Sequence, residues 1–223
     1  MKFKLLRSIY LILLLQFLPS MALAQPSDPI NQIVALKWMD NLGDGKFYPE
    51  RFISRGELAS IMVRVFRLDL RQDLNPQDIR VVDVPPQHPH YRSIQTVLKT
   101  NIMQGYRNNL FFPNQQITRA EAIAIFAQAY GVFQFPDQTV NEFLSKFPDQ
   151  NSIPTWARRA IATVVAEGFI NPEQNKYLQP LQPMTRGDMA LLLNAYRERN
   201  QPQPETPIVP KANFESEGVG NRE

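Results

Sequence analysis

The phrase ITRAEAIAIF, residues 117–126, has two relatives in the same chain: ISRGELASIM from Ile53 and MTRGDMALLL from Met184. Each runs hydroxyl residue, Arg, small residue, acid, then an apolar stretch. Aligned on Arg55, Arg119 and Arg186, the copies stand 64 and 67 residues apart. The apolar positions that follow keep helical spacing. They are Leu58, Ile61, Met62, Val65 and Phe66 in the first copy, and Ala122, Ile125, Phe126, Ala129 and Tyr130 in the second. Met189, Leu192, Leu193 and Tyr196 continue the pattern in the third. This i, i+3, i+4, i+7 spacing predicts an amphipathic helix in each copy.

The repetition extends upstream. KFYPERFI, LFFPNQQI and YLQPLQPM place Pro49, Pro113 and Pro180 at matching positions, and proline there implies an extended loop. Earlier still, Ile30 and Ile33, Ile94 and Val97, and Ile161 and Val164 mark another helix per copy. Each unit is therefore helix, loop, helix. One such unit has too little core to stand alone, whereas three bury their stripes together. The expected fold is all-α, with three helix–loop–helix repeats packed around a pseudo-threefold axis. The repeats fall at about 27–70, 80–132 and 147–199, forming one domain over 27–199.

The flanks differ in composition. Residues 1–24 read as a secretory signal: a basic start with Lys2, Lys4 and Arg7, an apolar run, and small residues at Ala22 and Ala24, with cleavage before Gln25. The apolar run is short for a bilayer span and contains Gln16 and Pro19. No second segment is long and apolar enough to span, so no membrane span is expected after cleavage. Residues 200–223 are rich in Pro and polar groups and read as a disordered tail. Without the leader, basic and acidic residues balance at 21 each. The pI of about 9.2 is therefore no argument for a nucleic-acid partner. The absence of cysteine excludes disulfides, thiolate zinc sites and Cys nucleophiles.

Ser/Thr-x-x-Glu/Asp ahead of an apolar run is a capping box. Ser54, Thr118 and Thr185 are its N-caps, and Glu57, Glu121 and Asp188 its reciprocal acids. The box does not explain the Arg. At the first helical position a cation opposes the helix dipole, at a cost of roughly 0.3–1 kcal/mol. Two explanations stand. The guanidinium makes an ion pair between units, to an acid such as Asp83 or Asp149. Alternatively, it joins free helix-start amides to receive an anion, for which its planar fork suits a carboxylate.

FFPNQQITRAEAIAIFAQAYG, and DVPPQHPHYRSIQTVLKTNIMQGYRNNLFFP before it, resemble the S-layer homology domain family. The resemblance covers about residues 28–198. It implies a three-unit helical domain that holds exported proteins to the cell envelope, in the periplasm or at the cell surface. The implied ligand is an anionic cell-wall polysaccharide, such as a pyruvylated one, or a peptidoglycan-associated polymer, held in grooves between units. Arg55, Arg119 and Arg186 then become anion-binding residues, and Trp156 an aromatic wall for a sugar face. The opening acids Asp83 and Asp149, with Gly105 and Tyr91, complete the candidate ligand set. The family's Trp after the opening Asp is replaced in the second unit by Pro89, with Tyr91 following, and Gly105 has Asn41 and Pro172 as its counterparts.

No catalytic residue, metal site or cofactor is implied. Asp40, Asp44 and Gly45 echo a calcium loop, but Leu42 and Arg51 occupy ligand positions, so Asp-Gly reads as a plain turn. His88 and His90 read as a solvated loop. No spacing pairs carboxylates as a glycoside hydrolase needs. A binding module is the leading reading, and an envelope adaptor with a protein partner is the alternative.

Overall fold

The computed structural model describes residues 28–71 and 74–200. The expected leader, and the expected tail beyond residue 200, lie outside the described residues. Among the described residues there are seven α-helices and no strand: α1 (Pro29–Ala35), α2 (Arg55–Phe66), α3 (Tyr91–Lys99), α4 (Arg119–Tyr130), α5 (Asp137–Leu144), α6 (Arg158–Ala166) and α7 (Arg186–Arg199). The first unit contributes α1 and α2, the second α3 and α4, and the third α6 and α7.

Hydroxyl caps start α2, α4 and α7 as expected. Ser54 Oγ, Thr118 Oγ1 and Thr185 Oγ1 accept from the amides of Glu57, Glu121 and Asp188 at 3.2, 3.3 and 3.0 Å. The backbone repeats closely elsewhere. Lys37, Asn101 and Gly168, which follow the first helix of each unit, all have positive φ. So do Tyr48, Phe112 and Gln179, each just before the loop proline.

The two helices of a unit do not pair with each other. Instead, the first helix of each unit packs on the second helix of the unit before it: α3 on α2 and α6 on α4. The series closes with α1 on α7. Helix α5 is an insertion between the second and third units that packs on α6, burying Val140 and Leu144.

The units meet at a backbone hub. Ile53 N donates to Met184 O at 3.0 Å, Met184 N to Ile117 O at 2.8 Å, and Ile117 N to Ile53 O at 3.4 Å. All three side chains are buried. One step further along each unit, a helix start meets another unit's loop. The amides of Arg55, Arg119 and Arg186 donate to Gln115 O, Gln182 O and Arg51 O at 2.8–2.9 Å. The next amides, of Gly56, Ala120 and Gly187, donate to the carbonyls of Pro113, Pro180 and Pro49. The orphan donors that every helix start carries are thus satisfied by a different unit.

Farther along, Phe126 packs edge-on against Phe66, Phe169 and Tyr196, with centroids 5.4, 5.8 and 5.6 Å away. Aromatic groups from all three units fill this end of the core. Beside it Tyr130 donates its hydroxyl to Glu167 Oε2 at 2.7 Å.

Two outcomes follow from this packing. A Cβ added at Gly187 lies 3.0 Å from Pro49 O, so Gly187→Ala should destabilise the fold by about 1–3 kcal/mol in urea denaturation. Burial, with the Glu167 hydrogen bond second, raises Tyr130 from 10.0 to about 12. The folded state therefore favours the neutral phenol. Its contribution is complete below pH 10 and fades as pH rises from 10 toward about 12. Tyr130→Phe should lose stability less steeply than the parent across that window.

Candidate functional site: grooves between the units

The three arginines share one backbone setting. Each guanidinium leaves its own helix start and crosses to the next unit's loop. Arg55 Nε donates to Phe111 O at 3.0 Å, Arg119 Nε to Leu178 O at 2.7 Å, and Arg186 Nε to Phe47 O at 2.8 Å. These acceptors occupy equivalent positions in the repeat. Arg55 Nη2 adds Gln104 O at 3.0 Å, and Arg186 Nη2 adds the equivalent Asp40 O. Aromatic faces hold the planes: Tyr106 and Phe111 lie 4.8 Å from Arg55 Cζ, and Phe47 lies 4.5 Å from Arg186 Cζ. Arg55, Arg119 and Arg186 are only 6, 8 and 2% exposed. Burial pulls the pKa of Arg55 and Arg186 below the ordinary arginine value.

The expected ion pair between units exists, but with other acids. Arg119 Nη1 lies 2.6 Å from Asp188 Oδ2, and Arg186 Nη1 pairs with Glu57 Oε1. Both acids belong to the N-cap motif of the following unit. Asp83 and Asp149 have a different role. Asp83 accepts from the amides of Phe111 and Phe112 at 2.9 and 2.7 Å, and Asp149 from those of Leu178 and Gln179 at 3.1 and 2.7 Å. Each pins the loop whose carbonyl the arginine reads.

Two further expectations are corrected. The reciprocal capping box closes only at α4, where Glu121 Oε2 accepts from Thr118 N at 2.9 Å. At α2 Glu57 faces an arginine instead, and at α7 Asp188 accepts from both Arg119 and the cap hydroxyl Thr185 Oγ1 without closing a box on the cap amide. The helix-start amides are also not free for an anion, because loop carbonyls and hydroxyl caps occupy them. Any anion recognition must therefore come from the guanidinium.

Beside each arginine runs a groove built from all three units. The first is lined by Arg55, by Asn101–Gln104 of the second unit and by Trp156 of the third. The second has Arg119, Gly168–Asn171 and Pro29. The third has Arg186, Met39–Gly43 and His90. Trp156 is 62% exposed, so it presents an open ring to the Arg55 groove. Of the other candidates, Tyr91 donates its hydroxyl to Asp78 at 2.9 Å, and Gly105 lies against Leu110 O. Neither lines these grooves. His90, read as solvated, is half-buried, with Nδ1 2.8 Å from Ser60 Oγ. Its place over Gly56, where a Cβ would touch its ring, has no local sequence signal. The same holds for the polar lining of Asn101, Gln104 and Gln128.

The family model for the S-layer homology domain matches residues 24–59, 82–123 and 146–190, together more than half of the chain. The chain belongs to the S-layer homology family. Among its relatives, a surface-layer 125 kDa protein of Lysinibacillus sphaericus is 29% identical over 154 residues, covering 68% of this chain and 12% of that protein. A cellulosome-anchoring protein of Acetivibrio thermocellus is 26% identical over 163 residues, covering 70% of this chain and 34% of its own length. An amylopullulanase of Thermoanaerobacterium thermosulfurigenes is 25% identical over 174 residues, 78% of this chain but 9% of the enzyme. The chain thus spans a minor part of each relative. Among the described residues, no helix is long and apolar enough to cross a membrane.

The arginine clasp of the S-layer homology units has a measurable consequence. Arg186→Met strands the Glu57 carboxylate and removes the donor to Phe47 O. It should cost about 3–5 kcal/mol in urea denaturation. Arg186→Met combined with Glu57→Met should recover part of that loss, because no uncompensated buried charge remains.

Proposed function

We propose that this chain is a non-catalytic module that holds a protein to the cell envelope by binding an anionic wall polysaccharide, such as a pyruvylated one, or a peptidoglycan-linked polymer. The observation that carries this reading is the groove where buried Arg55 and exposed Trp156 meet. A fixed cation beside an open aromatic ring suits a sugar that bears a carboxylate. Its volume of about 380 Å³ lies within the range of small-ligand sites. Membership of the S-layer homology family, with a surface-layer protein and a cellulosome-anchoring protein among the relatives, supports the same reading. So does the small share of the amylopullulanase that is matched, which fits a binding part separate from a catalytic one. The expected export places the module in the periplasm or on the cell surface.

Co-sedimentation with purified wall sacculi tests the proposal. The chain should pellet with intact sacculi and lose that retention once hydrofluoric acid has stripped the attached polymers. Undiminished retention on stripped sacculi would assign the ligand to peptidoglycan itself. Retention on neither, with capture of an envelope protein instead, would replace this reading with the adaptor one.

A further inference from the structure

The three arginines reach equivalent loop carbonyls, but their grooves differ in charge. In two of them the guanidinium already holds a carboxylate: Asp188 on Arg119, at 2.6 Å, and Glu57 on Arg186. The corresponding acid in the Arg55 groove is Glu121. Its Oε2 is turned back onto its own cap, accepting from Thr118 N at 2.9 Å and Thr118 Oγ1 at 2.8 Å. Among the described residues Arg55 makes no ion pair. Its Nε and Nη2 are used by Phe111 O and Gln104 O, and Nη1 has no protein acceptor. No buried side-chain nitrogen or oxygen among the described residues lacks a partner, so Nη1 reaches the groove rather than being sealed away. The rings of Tyr106 and Phe111 keep the fork from swinging.

We infer that the acid at the third helical position decides which groove takes an anion. Glu57 and Asp188 are built-in occupants of two of the three repeated arginines, and among those three the exogenous carboxylate site is at Arg55 Nη1. Two needs compete for that acid: capping its own helix, and neutralising the arginine of the preceding unit. In the second unit capping wins, and the arginine is left for a ligand. Glu121 also lines this groove, and its charge opposes a bare anion. The ligand must therefore add contact area, which Trp156 supplies to a sugar face. The inference rests on the proposed wall-binding reading for its biological meaning, although its test does not.

The experiment follows the arginine Nε–H and tryptophan indole resonances of the ¹⁵N-labelled chain during titration with methyl glucuronide, a sugar bearing one carboxylate. Only Arg55 and Trp156 should respond, with the stoichiometry of one site. Arg55→Gln should weaken binding roughly 10- to 100-fold, as expected for one charge-assisted hydrogen bond. Asp188→Asn should add a response at Arg119, and Glu57→Gln one at Arg186. A gained response cannot come from a chain that failed to fold. Silence at Arg55, a parent response at Arg119 or Arg186, or no gain in either acid variant would overturn the inference. Sacculus retention with Arg55 silent would leave the anchoring reading standing. An Arg55-only response without retention would do the reverse.

Discussion

Each guanidinium at a helix start donates to backbone carbonyls that belong to another unit, and the ring of units depends on this exchange. A cation at the first helical position costs roughly 0.3–1 kcal/mol against the dipole. One charge-assisted hydrogen bond returns about 1.5–3 kcal/mol, and Arg55 and Arg186 each make two to loop carbonyls. The side chain also reaches away from its own helix end, so the unfavourable dipole term is incurred at its weakest. The adjacent amides act in the same direction, reaching Pro49, Pro113 and Pro180 in other units. Arginine and amides together staple a helix start to a loop that Asp83 or Asp149 has already folded.

The shared design leaves room for divergence at one atom. A glutamate three residues past its cap can close a capping box or meet a neighbouring guanidinium, and Glu121 and Glu57 make opposite choices. Asp188, one methylene shorter, sits on Arg119 while still accepting from Thr185 Oγ1 at 2.7 Å. A threefold scaffold therefore carries grooves that differ in charge around arginines reaching equivalent loop carbonyls.

Much of this was legible before any coordinates. The period of 64 and 67 residues located the three helix starts. The hydroxyl residues named their caps, and the apolar stripes located the buried faces. Periodicity identifies a face but not its partner. It therefore marked the stripes that three units bury together, but not that the first helix of a unit packs on the second helix of the unit before it. The same limit hid the arginine's acids. Asp83 and Asp149 stood out as acids at matching places, yet amides of the following loop claim them. Helix α5 did carry a signal: Val140, Phe143 and Leu144 keep helical spacing, but they lie outside the repeat and so escaped the alignment. The groove at Arg55 was legible as a repeated arginine and, through the family resemblance, as an aromatic wall at Trp156. That Trp156 reaches it from the third unit depends on ring closure, which no local pattern encodes.

The pairing of α1 with α7 also sets an order of events for the newborn chain. Phe47 O waits for a guanidinium 139 residues later, and the apolar side of α1 has no lasting shelter until the final helix has been made. Closing so long a loop is slow compared with forming local helix. The three-unit ring should stay open until α7 has been made, and then lock in one step.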